Sequence, residues 1–247
     1  MVAATRHEPP QAKGPEGFSG KGRHASRPVR RTGKQGDRAM SAARLKRKEI
    51  HDAIREAALR EFASYGLSGT STQQLAKAAG ITKAQLHYYI TSKEDLYREV
   101  LDGIIGQWRD IFFVGESDDP AEVITGYVRL KLRLALDCPE ASRLFLQELG
   151  RGAPEMGGKW EGLHASVREA TAVIQRWIDE GRMNPVDPLL FMMNIWAVTQ
   201  HYADYEFQSR RVLGVDPGAE MDFERIAAEA VQLFLARAGL TDEGQTR

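Results

Sequence analysis

The chain has 247 residues, 42% of them hydrophobic, enough for one large domain or two modest ones, and its single cysteine, Cys138, excludes an internal disulfide. Lys and Arg balance Asp and Glu at 34 each, yet 13 of the basic residues and only 3 of the acidic ones lie within residues 1–48. A basic N-terminal stretch joined to an acidic body excludes a protein that is basic throughout, and it is read either as the end that meets a polyanion or as a solvated tail.

No charged start followed by an apolar core and a small-residue cleavage site opens the chain, and the apolar run 189–198 falls short of the ~18 residues a membrane span needs. The expectation is a cytoplasmic protein without a membrane segment. Residues 1–43 carry Pro9, Pro10, Pro15 and Pro28 among many Gly, Lys and Arg, with Phe18 the only aromatic and no apolar periodicity. Such a stretch cannot bury enough surface to offset its ordering entropy, so it is read as a disordered basic tail.

From Arg44 the pattern is helical. Ile50, Ile54, Ala57, Ala58 and Phe62 fall on one face of a first helix, which Gly66 and Gly69 stop. Ser71 with Gln74 three residues on, ahead of Leu75, Ala76 and Ala79, is a capping-box signature for a short second helix. Gly80 supplies a residue able to turn left-handed, Ile81 an apolar plug, and Thr82 with Gln85 repeats the capping spacing for a third helix. Ser92 and Asp95 then cap a fourth, whose apolar stripe is Leu96, Val100, Ile104, Ile105 and Trp108. Further helices are predicted over 122–136, 139–149, 161–180, 187–208 and 221–238, separated by Gly and Pro punctuation, with no period-two strand pattern between them.

Two short capped helices about a glycine turn, sharing Leu75, Ala76, Ala79, Ile81 and Leu86 as a small core, form a helix-turn-helix whose second helix suits a major groove. Lys83 and Gln85 lie in its first turn, where Lys can reach guanine and Gln adenine, with Thr82 and Ala84 on the same turn. His87 and Tyr89, farther along, suit phosphate oxygens, and Tyr88 is read as a core residue. Thr72, Gln73 and Lys93, at helix N-termini, also suit phosphate.

The stretch Gly69-Thr70-Ser71-Thr72-Gln73-Gln74-Leu75-Ala76-Lys77-Ala78-Ala79-Gly80-Ile81-Thr82, followed by Leu86, Tyr88 and Ser92-Lys93-Glu94, resembles the TetR family. The family often has Tyr-x-His-Phe where this chain has His87-Tyr88-Tyr89-Ile90. The resemblance implies an all-α homodimer, with an N-terminal three-helix DNA-binding domain and a C-terminal domain that pairs through its last two helices and holds an inducer. The expected organisation is a tail over 1–43, a helix-turn-helix domain over 44–91, a ligand-binding and dimerisation domain over 92–240, and a disordered tail over 241–247.

Downstream, Tyr127 to Leu132, Asp137 to Phe145, Gly152-Ala153-Pro154 and Ile195 to Tyr205 resemble a pyrimidine-responsive repressor of that family, which implies uracil or thymine as effector. Trp196, Thr199 and Gln200 stand at i, i+3 and i+4, so an indole plane, a hydroxyl and a carboxamide share one helix face and could hold a pyrimidinedione. The same residues could instead pack as core, with Gln200 serving a buried polar neighbour. Gln147 is a further candidate for the pocket, where an added polar contact would shift preference toward a purine or hydantoin. The nearly all-apolar helix from Leu189 to Val198 suits burial on both sides, one for the pocket and one for a partner, with the last helix as the second dimer element.

No His pair has metal-ligand spacing, no phosphate loop is present, and Cys138 has no nearby base, so neither catalysis, a metal nor a cofactor is expected. The rival readings are a helical enzyme, and an adaptor that docks partner helices without operator specificity.

Overall fold

The computed structural model describes residues 33–109, 111–112 and 117–241, with side chains from Arg44 onward. The chain divides into two units, Met1–Arg44 and Leu45–Arg247. In the first, the backbone is already helical at Gly33, so residues 33–43 differ from the unstructured tail expected there; residues 1–32 and 242–247 of the expected tails lie outside the described residues. The second unit carries both candidate sites.

Helix α1 (Gly33–Gly69) buries Ile54, Ala57, Ala58 and Phe62, as its periodicity predicts. Its regular path ends at Gly66, whose φ of 69° is the left-handed region that costs a side chain with a Cβ but not glycine. Helices α2 (Thr72–Ala78) and α3 (Lys83–Tyr89) each begin with a complete capping box, Ser71 with Gln74 and Thr82 with Gln85. Between them Gly80 turns with φ 69°. Helix α4 (Lys93–Arg109) starts at Ser92, whose hydroxyl accepts from the Asp95 amide at 3.0 Å.

The α1–α3 core contains more than those three helices. Leu75 and Leu86 pack with Leu96, Tyr97, Val100, Leu101 and Ile104 of α4, and with Ala141 and Leu144 of α6 (Pro139–Gly150). A boundary at residue 92 therefore runs through a continuous apolar cluster, and α4 is structurally part of both halves. The second cluster joins α5 (Pro120–Asp137), α7 (Lys159–Asp179), α8 (Pro188–Asp204) and α10 (Phe223–Ala238) around Ile124, Leu132, Trp177, Phe191, Ile195 and Phe234. Each such buried aliphatic or aromatic side chain contributes about 1.5–3 kcal/mol relative to exposure.

The helix predicted over 187–208 is interrupted. It breaks at Tyr205 (φ −115°, ψ 37°), after which α9 (Glu206–Leu213) begins. No Gly or Pro signals this break; instead Asp204 and Glu206, on either side of it, are each held by α6, through Ser142 at 2.6 Å and Arg143 at 2.7 Å. No strand occurs among the described residues, and none of their helices is long and apolar enough to cross a membrane.

Candidate functional site

Helix α3 anchors itself by one residue, Leu86, which is fully buried, and this fixes which side chains face outward. Lys83, Ala84, His87 and Tyr88 form the exposed face, at i, i+1, i+4 and i+5. Tyr88, expected in the core, is 70% exposed, whereas Tyr89, expected at the phosphates, packs half-buried against the α1–α4 core beside Ile90. Neighbouring positions on a helix differ by about 100° in direction, so anchoring by Leu86 and Ile90 turns Tyr89 inward and Tyr88 outward. The guanidinium of Arg47 on α1 lies 5.6 Å from the centre of the Tyr88 ring and extends the same surface.

Two of the expected contact residues are engaged within the fold. Gln85 folds back, its Oε1 accepting from the Thr82 amide at 2.9 Å and from the Thr82 hydroxyl at 3.1 Å. The adenine contact assigned to it therefore competes with the helix cap, which leaves only the Gln85 amide donors free. Lys93 donates to the carbonyls of Leu67 and Thr70 at 2.7 and 2.9 Å. These are acceptors that the end of α1 leaves unpaired, so the Lys93 ammonium fastens α4 to α1 and is not an outward phosphate donor. Thr72 and Gln73 remain accessible at the start of α2.

A second candidate site lies between α4, α5 and α8. Tyr127 and Lys131 of α5 stand one turn apart and face Trp196 and Gln200 of α8, also one turn apart. The Trp196 indole N–H donates to the Tyr127 hydroxyl at 2.8 Å, and Phe112 meets both rings. Gln200 lines a small cavity of about 20 Å³ together with Gln107, Trp108, Lys131, Cys138 and Ser142. Gln107, Cys138 and Ala141 also line a wider groove of about 430 Å³ bordered by Asp52 and Arg55 of α1.

Of the residues expected to hold a ligand, the structure brings only Gln200 to this cavity with its amide uncommitted. The Thr199 hydroxyl is buried and donates to the Ile195 carbonyl of its own helix at 2.8 Å. Trp196 faces the aromatic layer one turn away. Gln147 lies elsewhere: it sits three residues beyond Leu144 on the face of α6 that meets α1, and its amide donates to the Ala63 carbonyl at 2.7 Å. It joins the two halves of the molecule and has no place in the pocket.

Sequence reading missed Trp108 and Lys131. Trp108 belongs to an apolar stripe and so passes for core. Lys131 was detectable, because it occupies the buried face of α5 at helical spacing with Ile124, Tyr127, Val128 and Ala135. Burial pushes its ammonium down to about 8, opposed by the Asp204 carboxylate, and the same burial pushes Asp204 up from the usual carboxylate range. Among the described residues no group of three His, Cys, Asp or Glu could hold a metal ion.

Helix α6 connects the two candidate sites. Ser142 and Arg143 bind Asp204 and Glu206 beyond Gln200, while Gln147 binds α1 and the buried Glu148 binds Tyr97 of α4.

Two family models cover most of the chain: "Bacterial regulatory proteins, tetR family" matches residues 54–100, and "YcdC-like protein, C-terminal region" matches 101–241. The HTH-type transcriptional regulator RutR of Escherichia coli is 38% identical over 209 residues, spanning 84% of this chain and 95% of that protein. Among solved structures, AibR in complex with isovaleryl coenzyme A and operator DNA aligns with a TM-score of 0.57 at 20% identity, over 74% of this chain and 97% of that one. The ketosteroid regulator KstR2 of Mycobacterium tuberculosis aligns with a TM-score of 0.61 at 20% identity, over 76% and 94%.

Proposed function

The chain belongs to the TetR family of bacterial regulatory proteins, a DNA-binding transcriptional regulator and not an enzyme, and from that premise we propose that it is a homodimeric repressor released from its operator by a small planar heterocycle such as uracil or thymine. The observation that carries the DNA half is the exposed α3 face of Lys83, His87 and Tyr88, set by the Thr82–Gln85 capping box and by buried Leu86. Lys83 is the base-edge reader, and Arg47, Tyr88, Thr72 and Gln73 are the phosphate contacts.

The dimer reading is supported by apolar residues left open on α8 and α10. Leu190 and Met193 on α8, and Leu233 on α10, are about half exposed, at 55%, 49% and 55%. A second copy covers them by the same patch, as two-fold symmetry requires. The paired α3 helices then address successive major grooves ~34–36 Å apart.

The effector reading is supported by the resemblance of Ile195 to Tyr205 and of the α5 and α6 segments to a pyrimidine-responsive repressor, and by Gln200 in its cavity. About 20 Å³ holds roughly one water, so a six-membered ring enters by moving the Gln107–Trp108 end of α4 away from α5 and α8. Because α4 is fastened at its other end to α1 through Lys93, that displacement carries the DNA-binding helices with it and changes their spacing. The test is selection of bound duplexes from a random pool. A two-fold symmetric site that loses affinity when Lys83 is replaced by Ala supports the reading; absence of any enriched site, or full binding by Lys83→Ala, contradicts it.

A further inference from the structure

Among the described residues Lys131 is the one buried cation: 5% exposed, on the buried face of α5, with its ammonium 4.6 Å from the centre of the Trp108 ring. No hydrogen-bond acceptor among the described residues reaches it. Asp204 attracts it through space, but that carboxylate accepts from Ser142 at 2.6 Å on α6. An ammonium on a buried side chain, with no protein acceptor and only the small cavity beside it, carries a desolvation cost that the face of the indole offsets only in part. Leu or Met would fill the same place between Val128 and Ala135 without that cost. The ammonium also rims the cavity that Gln200 lines from the opposite helix.

The polar chemistry of this cavity is unbalanced. Lys131 offers three donors and no acceptor, whereas Gln200 and Gln107 each offer donor and acceptor. An occupant that satisfies the lysine must present an acceptor oxygen beside a group that can pair with a carboxamide. A planar ring with adjacent C=O and N–H does so; a ring with an amino group in place of the carbonyl sets donor against donor.

We propose that Lys131 makes this site selective for oxo heterocycles over amino heterocycles, its ammonium donating to a ring carbonyl oxygen while Gln200 pairs with the adjacent N–H. This rests on the effector reading above and assigns its specificity to a residue of α5, across the cavity from Gln200. Losing a charged hydrogen bond in a desolvated site lowers affinity by about tenfold or more. A site built around that bond also discriminates strongly against the analogue that cannot make it.

The test is calorimetric titration of the full chain with uracil, thymine and 2,4-diaminopyrimidine, which carries amino groups where uracil has carbonyls, for wild type, Lys131→Met and Lys131→Gln. Wild type binds uracil or thymine at least about tenfold more tightly than 2,4-diaminopyrimidine. Both variants melt cooperatively, lose at least about tenfold in affinity for uracil or thymine, and lose the discrimination against 2,4-diaminopyrimidine. A smaller loss in both variants, with wild type binding intact, overturns the assignment and leaves the effector reading standing. Wild type that binds neither uracil nor thymine overturns both. Failure of both variants to fold identifies a structural lysine and also overturns the assignment.

Discussion

The hydroxyl of Tyr97 on α4 donates to the Glu148 carboxylate on α6 at 3.0 Å, in a place where both residues are almost completely buried. Burial and this carboxylate together push the phenol above its usual range. Glu148 also accepts from the Glu155 amide at 2.6 Å and pairs with Arg151 at 3.1 Å, so one carboxylate ties α4, α6 and the turn after α6 together. It is a polar clamp between the helix that carries the DNA-binding half and the helix that holds the end of α8.

Removing one arm of that clamp is predicted to be tolerable, and removing its centre is not. Tyr97→Phe leaves Glu148 two partners and should cost about 1–2 kcal/mol in urea unfolding, whereas Glu148→Ala orphans buried donors, opens a cavity and should cost about 3–5 kcal/mol. Equal losses in the two variants would contradict the description of Glu148 as the shared centre.

Tyr88 and Tyr89 should separate binding from stability. Tyr88→Ala is predicted to weaken duplex binding with a melting temperature near wild type, because the side chain is exposed. Tyr89→Ala removes packing against the α1–α4 core and should lower stability by about 1–3 kcal/mol. Thermal melts and anisotropy titrations of both variants check this, and the reverse pattern would contradict the observed rotation of α3.

Arg47 and Lys83 should be distinguishable by salt. Arg47→Ala removes a cation from the phosphate backbone and should reduce the slope of log affinity against log salt by about 1, with little change in sequence preference. Lys83→Ala is predicted to relax the preference at one base pair by about 1–3 kcal/mol. Affinities measured across a salt series on a matched and a single-substituted duplex decide between the roles.

Lys131 gives a pH signature with a definite sign. Its ammonium, pushed down to about 8 by burial and ordinarily near 10.5, is deprotonated in the folded protein over a range where the unfolded chain keeps its proton. The unfolded state then binds more protons, so this group's contribution to stability rises with pH between about 8 and 10.5, and below about 8 its full cost is present. Lys131→Met is therefore predicted to be more stable than wild type at pH 7, with the gap closing as pH rises through that window. Denaturant titrations at pH 7, 9 and 10 measure the gap; a constant gap would mean that the lysine is not held in a desolvated state.

The two helices of the helix-turn-helix were legible because their signals are local. Ser71 with Gln74, Gly80, and Thr82 with Gln85 all act within four residues, and the structure places both caps and the left-handed turn where those residues predict. What sequence could not resolve is tertiary. The phase of α3 depends on where Leu86 and Ile90 meet α1 and α4, which exchanges the roles of Tyr88 and Tyr89. Gln147 finds its acceptor 84 residues away at Ala63, and the break at Tyr205 follows from partners on α6. Trp196, Thr199 and Gln200 do share a helix, but two of the three use their polar atoms on Tyr127 and Ile195, leaving Gln200 as the expected residue that reaches the cavity.

The most direct test of effector-controlled DNA binding is release of a selected operator duplex, followed by anisotropy, as uracil or thymine is added to wild type and to Gln200→Ala. The prediction is release from wild type, and a variant that binds the duplex as tightly as wild type but no longer lets go. Release from Gln200→Ala at the same effector concentration, or no release from wild type, would contradict it.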